Sequence, residues 1–263
     1  MLIWLAILGY GFSGGVALYS LQKASLPDRR LLFWPAVFGA AAHLSTLASE
    51  LIVFGALQVG FFNSASVITF FIVSTLLVSG FSKPIHSLFA FVLPLAAAIL
   101  IVALLVPQTQ PPRFYSGGMM FHIFVSMLAY SVITIAALLA VLLGIQNRQL
   151  HEHHPETRLN RVLPPLQTTE RLMFEWLMIG FVLLTIAIIS GSLFVSDFFA
   201  QSLAHKTVLT LIAWLFFAVL LFGHFHLGWR GARASRLTVL GFAFLMLAFF
   251  GSKFVMEYLI TKF

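Results

Sequence analysis

The chain has 263 residues, of which 60% are hydrophobic and only 9% are charged, against about 25% charged residues in soluble domains. This composition excludes a water-soluble globule, and the absence of cysteine excludes disulfides and cysteine-based metal sites. The formal net charge of +7 is carried by short segments between apolar runs, so it indicates membrane topology and no nucleic-acid partner.

Apolar runs long enough to cross a bilayer recur along the whole chain. A helix crosses a hydrocarbon core of about 30 Å with about 20 residues, and the backbone must be helical there because lipid offers it no hydrogen-bond partners. The predicted spans are 2–22, 32–54, 63–82, 86–106, 119–145, 172–195, 207–227 and 237–260. We therefore predict an all-α integral membrane protein, a bundle of about eight transmembrane helices forming a single domain over residues 1–263.

Two connections between the predicted spans need separate interpretation. The stretch Glu50 to Ser64 is apolar but contains glycine and asparagine, so we predict a short helix lying at the membrane interface. The connection 147–171 is the only sizeable polar loop, and it contains three clustered histidines: His151, His153 and His154. Such a cluster could bind metal, but a polar connection between long helices is its simpler interpretation.

The distribution of basic residues predicts the orientation of the bundle. With the N-terminus outside, 11 of the 15 lysines and arginines fall in cytoplasmic loops: Lys23, Arg29, Arg30, Lys83, Arg148, Arg158, Arg161, Arg171, Arg230, Arg233 and Arg236. The remaining four fall outside: Arg113, Lys206, Lys253 and Lys262. Because basic residues are enriched in cytoplasmic loops, we predict that both termini lie on the periplasmic side.

Ionisable side chains inside the predicted spans are candidate functional groups, because burying them in lipid is costly. His43 lies halfway through the second span, and Glu50 projects from the same helical face seven residues later. His122 and His205 lie at the outer ends of different spans. His224 lies near the inner end of its span, so the topology groups His122 with His205 and His43 with His224.

Paired imidazoles suit the two axial positions of a haem iron, and they also suit zinc, copper or nickel. The simpler interpretation for a single buried histidine such as His43 is a hydrogen bond to a neighbouring helix. For His122 and His205, exposure at the ends of the spans is the simpler interpretation. The pairing favours a ligand role, but it does not distinguish haem from another ligand.

The second half of the chain contains an ordered series of motifs. Phe121-His122-Ile123 is followed by Met127-Leu128-Ala129-Tyr130-Ser131. Later landmarks are Gly180-Phe181-Val182-Leu183-Leu184-Thr185, Ser190-Gly191, His205-Lys206-Thr207, Ala213-Trp214-Leu215, His224, Gly228-Trp229-Arg230-Gly231 and Gly241-Phe242. This series resembles the cytochrome c assembly family of the CcsA and CcmC type, and more narrowly its YpjD-like inner-membrane branch, over a core of about 119–260.

The resemblance implies a multi-pass protein of the bacterial inner membrane that handles haem b. The residues themselves form no recognisable catalytic motif, so we expect no enzyme activity. His122 matches the first outer histidine of the family, His224 matches its membrane-embedded histidine, and Lys206 matches the lysine of its Trp-Asp-Pro-Lys loop. The corresponding loop here contains no tryptophan, and no histidine follows His226. We therefore expect His205 to substitute for the second outer histidine.

Our first hypothesis is haem transfer from an inner site near His224 and His43 to an outer site at His122 and His205. The haem propionates would pair with two basic residues of the outer face, Lys206 and Arg113. The expected partners are membrane lipid, haem, and other proteins of cytochrome c maturation or of a membrane complex.

Two alternative functions belong to other classes. A proton-coupled permease for a small molecule or an ion would use His43 and Glu50 as a buried proton relay. A non-catalytic accessory subunit of a membrane complex would need no cofactor at all.

Overall fold

The structure, a computed structural model, describes residues 1–25, 28–53, 56–58, 60–106, 111–152, 162–194 and 201–255, with the backbone alone for 50–53, 56–57 and 201–204. The long helices are α1 (Leu2–Gln22), α2 (Arg29–Leu51), α3 (Phe61–Ser79), α4 (His86–Leu105), α5 (Gly117–His151), α6 (Leu166–Phe194), α7 (Gln201–Leu227) and α8 (Gly231–Met246). Helix α8 continues through a π-helical turn (Leu247–Gly251) into a last short helix, α9 (Ser252–Phe254).

Within these described ranges, eight helical segments are long and apolar enough to span a membrane. They coincide with the eight predicted spans, so the prediction of an all-α membrane bundle is confirmed. The location of both termini on the periplasmic side stays a prediction. The side chains on the outside of the helices are largely leucine, isoleucine, valine and phenylalanine, as a lipid-facing surface requires.

Three predicted boundaries or connections are wrong. Residues 52–53 and 56–57 do not form an interfacial helix but two short strands, β1 (Ile52–Val53) and β2 (Ala56–Leu57), paired antiparallel with Ile52 opposite Leu57. Helix α5 continues to His151 and α6 already begins at Leu166, so much of the predicted polar loop 147–171 is helical.

The helical extensions beyond the apolar spans follow from charge spacing. Arg148 pairs with Glu152 at 2.8 Å, and Arg171 lies 3.6 Å from Glu175, each pair one helical turn apart. Opposite charges at this spacing stabilise a helix that extends past the membrane. His153 and His154, two of the three histidines of the predicted polar loop, lie outside the described residues.

The chain divides into two compact units. The N-terminal unit comprises Met1–Phe114 and His154–Pro165, and the C-terminal unit comprises Tyr115–His153 and Leu166–Phe263. The prediction of a single domain over residues 1–263 stays a prediction.

In the N-terminal unit, α1 packs against α2 and α4, and α3 packs against α2 and α4. Small residues allow the close approach of α1 and α2, since a Cβ added at Gly9 would lie 2.6 Å from the carbonyl oxygen of Pro35. On the neighbouring turn, Gly14 similarly accommodates the ring of Pro94 in α4. Backbones in such contact leave no room for lipid between these helices.

In the C-terminal unit, α5 packs most extensively against α6 and also against α8, while α7 packs against α8. The Ser116 side chain caps α5 by accepting a hydrogen bond from the Met119 amide at 3.3 Å. A Cβ added at Gly180 of α6 would lie 2.5 Å from Ile133 Cγ1 of α5. The resulting close contact fixes the register of α5 against α6, and that register positions the first candidate histidine.

Candidate functional site

His122 lies in the second turn of α5, where α6 contacts one edge of its half-buried ring. Its Nδ1 is 3.0 Å from the carbonyl oxygen of Ala187 and 3.2 Å from the Ser190 hydroxyl. A carbonyl can only accept a hydrogen bond, so Nδ1 carries the proton and the neutral ring keeps its lone pair on Nε2. No group of the described residues forms a hydrogen bond with that nitrogen, so the lone pair of Nε2 is left available.

The surface of α6 that contacts the His122 ring requires a glycine at position 191. A Cβ added at Gly191 would lie 2.9 Å from His122 Cε1 and 3.3 Å from its Nδ1. Any larger residue would therefore push the ring away from its carbonyl partner. Ser190-Gly191 is one of the landmarks in the sequence, and its role is to form the surface on which the His122 ring rests.

Lys206 and an aromatic cluster lie at the same end of the C-terminal unit. The Lys206 Nζ is 4.9 Å from the centre of the Phe249 ring, and the Tyr130 ring lies 5.1 Å from that ring. The buried Tyr130 hydroxyl is near the Thr210 hydroxyl, although the two do not form a hydrogen bond of standard geometry. This end therefore combines an oriented imidazole with a cation that lies over a buried, packed pair of aromatic rings.

His224 is oriented in the same way near the end of α7. Its Nδ1 lies 3.1 Å from the carbonyl oxygen of Trp229, and its ring stacks on Phe174 with 3.5 Å between the ring centres. The carbonyl again requires the proton on Nδ1, which leaves the Nε2 lone pair available. His224 is thus a second imidazole whose proton position is set by a backbone carbonyl.

A turn of the chain supplies the carbonyl that orients His224. Gly228 adopts φ +65°, a left-handed conformation that favours glycine, and it ends α7. The chain then folds back so that the Trp229 amide donates to the Gly223 carbonyl at 3.0 Å. A Cβ added at Gly223 would lie 2.3 Å from the Trp229 ring, so this fold also depends on a glycine.

The two oriented histidines lie at opposite ends of the C-terminal unit. Helices α5 and α7 run in the same direction, with His122 at the start of one and His224 at the end of the other. At 1.5 Å per residue, the 18 residues from Lys206 to His224 span about 27 Å, nearly the thickness of the hydrocarbon core. The His122 end and the His224 end would therefore lie near opposite faces of a membrane.

His43, in the N-terminal unit, has a different environment. Its ring is completely buried, with Nδ1 3.1 Å from the Tyr10 hydroxyl and Nε2 2.9 Å from the Ser66 hydroxyl. The rings of Tyr10 and Phe70 pack edge-on against it. Because both nitrogens are engaged, binding to a metal would require one of these hydrogen bonds to break. The role of His43 as a haem ligand stays a prediction.

Three other predicted site residues have separate locations. His205 is exposed on α7 and does not lie in a loop before it, because that helix begins at Gln201, and among the described residues no contact joins it to His122. Arg113 is exposed and belongs to the N-terminal unit, whereas Lys206 belongs to the C-terminal one. The Glu50 side chain lies outside the described side chains. In the part of the chain that the structure describes, no three His, Asp or Glu side chains cluster as a metal site.

Sequence reasoning named both oriented histidines but not the groups that orient them. The Ala187 and Trp229 acceptors are backbone carbonyls, which have no signature in a sequence. Phe249 was also missed, because a π-helical turn has no characteristic pattern. Gly191 and Gly228 are among the landmarks in the sequence. These two glycines were the one sequence signal of the groups that orient the histidines.

Comparison with known proteins shows the family of the chain. The family model described as Cytochrome C assembly protein matches residues 31–260. The chain is 30% identical over 256 residues to the inner membrane protein YpjD of Escherichia coli (strain K12), covering 96% of this chain and 97% of that protein. It is 29% identical over 160 residues to the cytochrome c biogenesis protein CcsA of Guillardia theta, covering 55% of this chain and 53% of that protein. No solved structure matches the chain significantly. The chain belongs to the cytochrome c assembly protein family.

Proposed function

We propose that this inner-membrane protein binds haem and passes it across the membrane during cytochrome c biogenesis. The observation that carries the proposal is the shared orientation of His122 and His224, each held by a hydrogen bond from Nδ1 to a backbone carbonyl. Histidines that bind metals commonly donate their second ring N–H to a carbonyl or carboxylate, which fixes the ligand nitrogen. Membership of the cytochrome c assembly family supports haem as the metal-containing ligand.

At the His122 end, the Nε2 of His122 is proposed to be an axial ligand of the iron, and the Lys206 ammonium to pair with a propionate. Ala187 and Ser190 hold the imidazole in position. The Lys206 ammonium lies over the Phe249 ring, which packs against Tyr130. His205 and Arg113 stay predicted contributors. Haem is treated as cargo, so we expect no turnover chemistry from the protein itself.

At the His224 end, His224 is proposed to hold haem before its transfer. The aromatic stack on Phe174 keeps the imidazole from rotating, and the Trp229 turn encloses it from the end of the helix. With both termini on the periplasmic side, this end faces the cytoplasm and the His122 end faces the periplasm. The direction of transfer would then be from His224 to His122, toward the site of cytochrome c assembly.

The direct test is an absorption spectrum of protein purified from haem-replete cells. The wild-type protein should show a Soret band, because an imidazole-ligated haem absorbs strongly there. His122→Ala and His224→Ala should each reduce the haem bound per protein, and the double variant should abolish it. His226→Ala is the matched control, since that ring is exposed on α7 and stacks on Phe222 of its own helix. Haem-free wild-type protein that also fails to bind added haem would refute the proposal.

The buried Tyr10–His43–Ser66 hydrogen-bond chain favours a second candidate function, a proton-coupled permease in which His43 and Glu50 relay protons. Reconstituted protein would then show a pH-dependent flux that His43→Gln and Glu50→Gln abolish. The same protein would carry no haem spectrum. Flux that persists in both variants would exclude this candidate.

A further inference from the structure

The connection between α7 and α8 is a short turn bounded by two glycines with left-handed backbones. Gly228 adopts φ +65° and Gly231 adopts φ +59°, and only Trp229 and Arg230 lie between them. Glycine takes up such angles without strain, but it is also the residue with the most conformational freedom. A turn bounded by two glycines therefore keeps one conformation only if contacts from other parts of the chain hold it.

A carboxylate from α6 supplies such a contact. Glu170 is largely buried, with 13% of its side chain exposed, and its Oε2 accepts a hydrogen bond from the Gly231 amide at 3.3 Å. Its second oxygen, Oε1, lies 3.9 Å from Nε of Arg230. Gly231 is the first residue of α8, and the preceding Arg230 gives that helix no side-chain cap. The carboxylate of a different helix thus serves as the cap of α8.

The residue that precedes these two contacts is the one that orients His224. The Trp229 carbonyl accepts the hydrogen bond from His224 Nδ1 at 3.1 Å, and the Trp229 amide donates to the Gly223 carbonyl at 3.0 Å. Helix α7 therefore fixes the amide side of Trp229, while Glu170 fixes the chain that follows its carbonyl. The direction of the carbonyl depends on both attachments.

Helix α6 also contacts the His224 ring directly. Phe174 lies four residues after Glu170 and so on the same face of α6, and its ring stacks on His224 with 3.5 Å between the ring centres. The two α6 side chains have complementary effects on the imidazole. Phe174 fixes the plane of the ring, and Glu170 fixes the turn that carries its hydrogen-bond acceptor.

We propose that Glu170 is a positioning residue for His224, which holds the turn that carries the Trp229 carbonyl and so keeps the ring proton on Nδ1 and the Nε2 lone pair available. The inference rests on the proposed haem function for the use of that lone pair, whereas the tautomer itself is a property of the protein alone. The hydrogen bond to Gly231 carries this role. The ion pair with Arg230 contributes little, because 75% of the arginine side chain is exposed.

The first measurement is the tautomer of His224 in haem-free, full-length protein. The ¹⁵N chemical shifts of an imidazole distinguish its protonated nitrogen from the unprotonated one, and the signals of His224 are those that His224→Ala removes. The wild-type ring should carry its proton on Nδ1. Glu170→Ala should give a mixture of both tautomers, because the acceptor is no longer held. Glu170→Gln keeps an oxygen for the Gly231 amide, so it should keep the wild-type tautomer.

The second measurement is haem affinity at the His224 end, by Soret titration in a His122→Ala background. Glu170→Ala should weaken binding about fivefold, less than the about 10–100-fold that follows loss of a direct partner of a ligand histidine, and Glu170→Gln less than about twofold. Ser116→Ala is the matched control. It removes the cap of α5, a 3.3 Å hydrogen bond to the Met119 amide, and should change neither the tautomer of His224 nor the affinity.

The two measurements separate this inference from the haem proposal. A wild-type tautomer in folded Glu170→Ala would overturn the inference, whatever the effect on stability or haem binding. A mixture of tautomers with unchanged or absent haem binding would support the role of Glu170 and count against His224 as a haem ligand. If Glu170→Ala does not fold, Glu170→Asp replaces it, because the shorter side chain withdraws the carboxylate from Gly231 but keeps the charge. Glu170→Asp should show the same mixture, and a wild-type tautomer would again overturn the inference.

Discussion

His43 in α2 and His122 in α5 are both held among helices, but they differ in how many ring nitrogens the protein engages. Tyr10 and Ser66 bind both nitrogens of His43, whereas Ala187 and Ser190 hold only Nδ1 of His122. An imidazole with both ring nitrogens in hydrogen bonds stabilises the contact between helices. An imidazole with one free lone pair can still accept a ligand bond through that nitrogen. Depth in the membrane alone therefore does not separate a structural histidine from a candidate ligand, whereas the hydrogen-bond partners of the two ring nitrogens do.

The largest expected effect is on the stability of the His43 region. His43→Ala would leave two buried hydroxyl groups without a partner, at about 1–3 kcal/mol each, so the free energy of unfolding should fall by about 2–6 kcal/mol. Denaturant unfolding in detergent micelles measures this loss. The haem bound per folded protein should stay at the wild-type level. A folded variant of unchanged stability that has lost its Soret band would instead make His43 a ligand and remove the contrast.

The second largest effect is expected on haem affinity when Gly191, which contacts the His122 ring, is replaced. Gly191→Ala places a Cβ 2.9 Å from the ring, so the imidazole must leave its carbonyl partner. Haem affinity at this end should fall about 10–100-fold, the usual cost of losing an orienting partner. Gly117→Ala is the control, because a Cβ there meets no atom within 4 Å. Equal affinity in the two variants would show that the orientation of His122 is unimportant.

A smaller effect is expected at the opposite end of the same unit. Gly223→Ala would displace the Trp229 ring and with it the carbonyl that orients His224. Measured in a His122→Ala background, haem affinity should fall about tenfold. Gly15→Ala, which adds a Cβ in open space on α1, tests for general effects of glycine replacement. If Gly223→Ala binds haem normally, the Trp229 carbonyl does not set the ligand nitrogen of His224.

The smallest effect on haem binding is expected from the removal of one hydrogen bond of His122. Ser190→Ala removes the hydroxyl but leaves the Ala187 carbonyl, so the imidazole keeps its main partner. The loss of about 1 kcal/mol corresponds to about fivefold weaker haem binding in the same titration. Ser192→Ala is the control, since that exposed hydroxyl donates only to Ile189 of its own helix. A loss as large as that of Gly191→Ala would mean that Ser190, and not the carbonyl, fixes the ring.

The eight spans could be predicted because hydropathy over about 20 residues is a strong signal in a lipid environment. The ends of α5 and α6 could not be predicted, since polar turns with charge pairs continue these helices and hydropathy gives no guidance there. His122 and His224 were found from their depth and from the family resemblance. Their orientation depends on helix register and on backbone carbonyls, so it became visible only once α5 was packed on α6 and Trp229 was folded onto α7.

The π-helical turn at Leu247–Gly251 has a consequence for how the last span can vary among relatives. Each residue added to an α-helix rotates everything after it by about 100°, so one inserted or deleted residue changes which side chains face inward. A π-helical turn absorbs one such extra residue locally. Loss of a single residue within Leu247–Gly251 would therefore return the turn to α-helical geometry and leave the facing of the residues beyond it unchanged. A one-residue gap in this span would therefore mark relatives in which the last span runs as a regular α-helix.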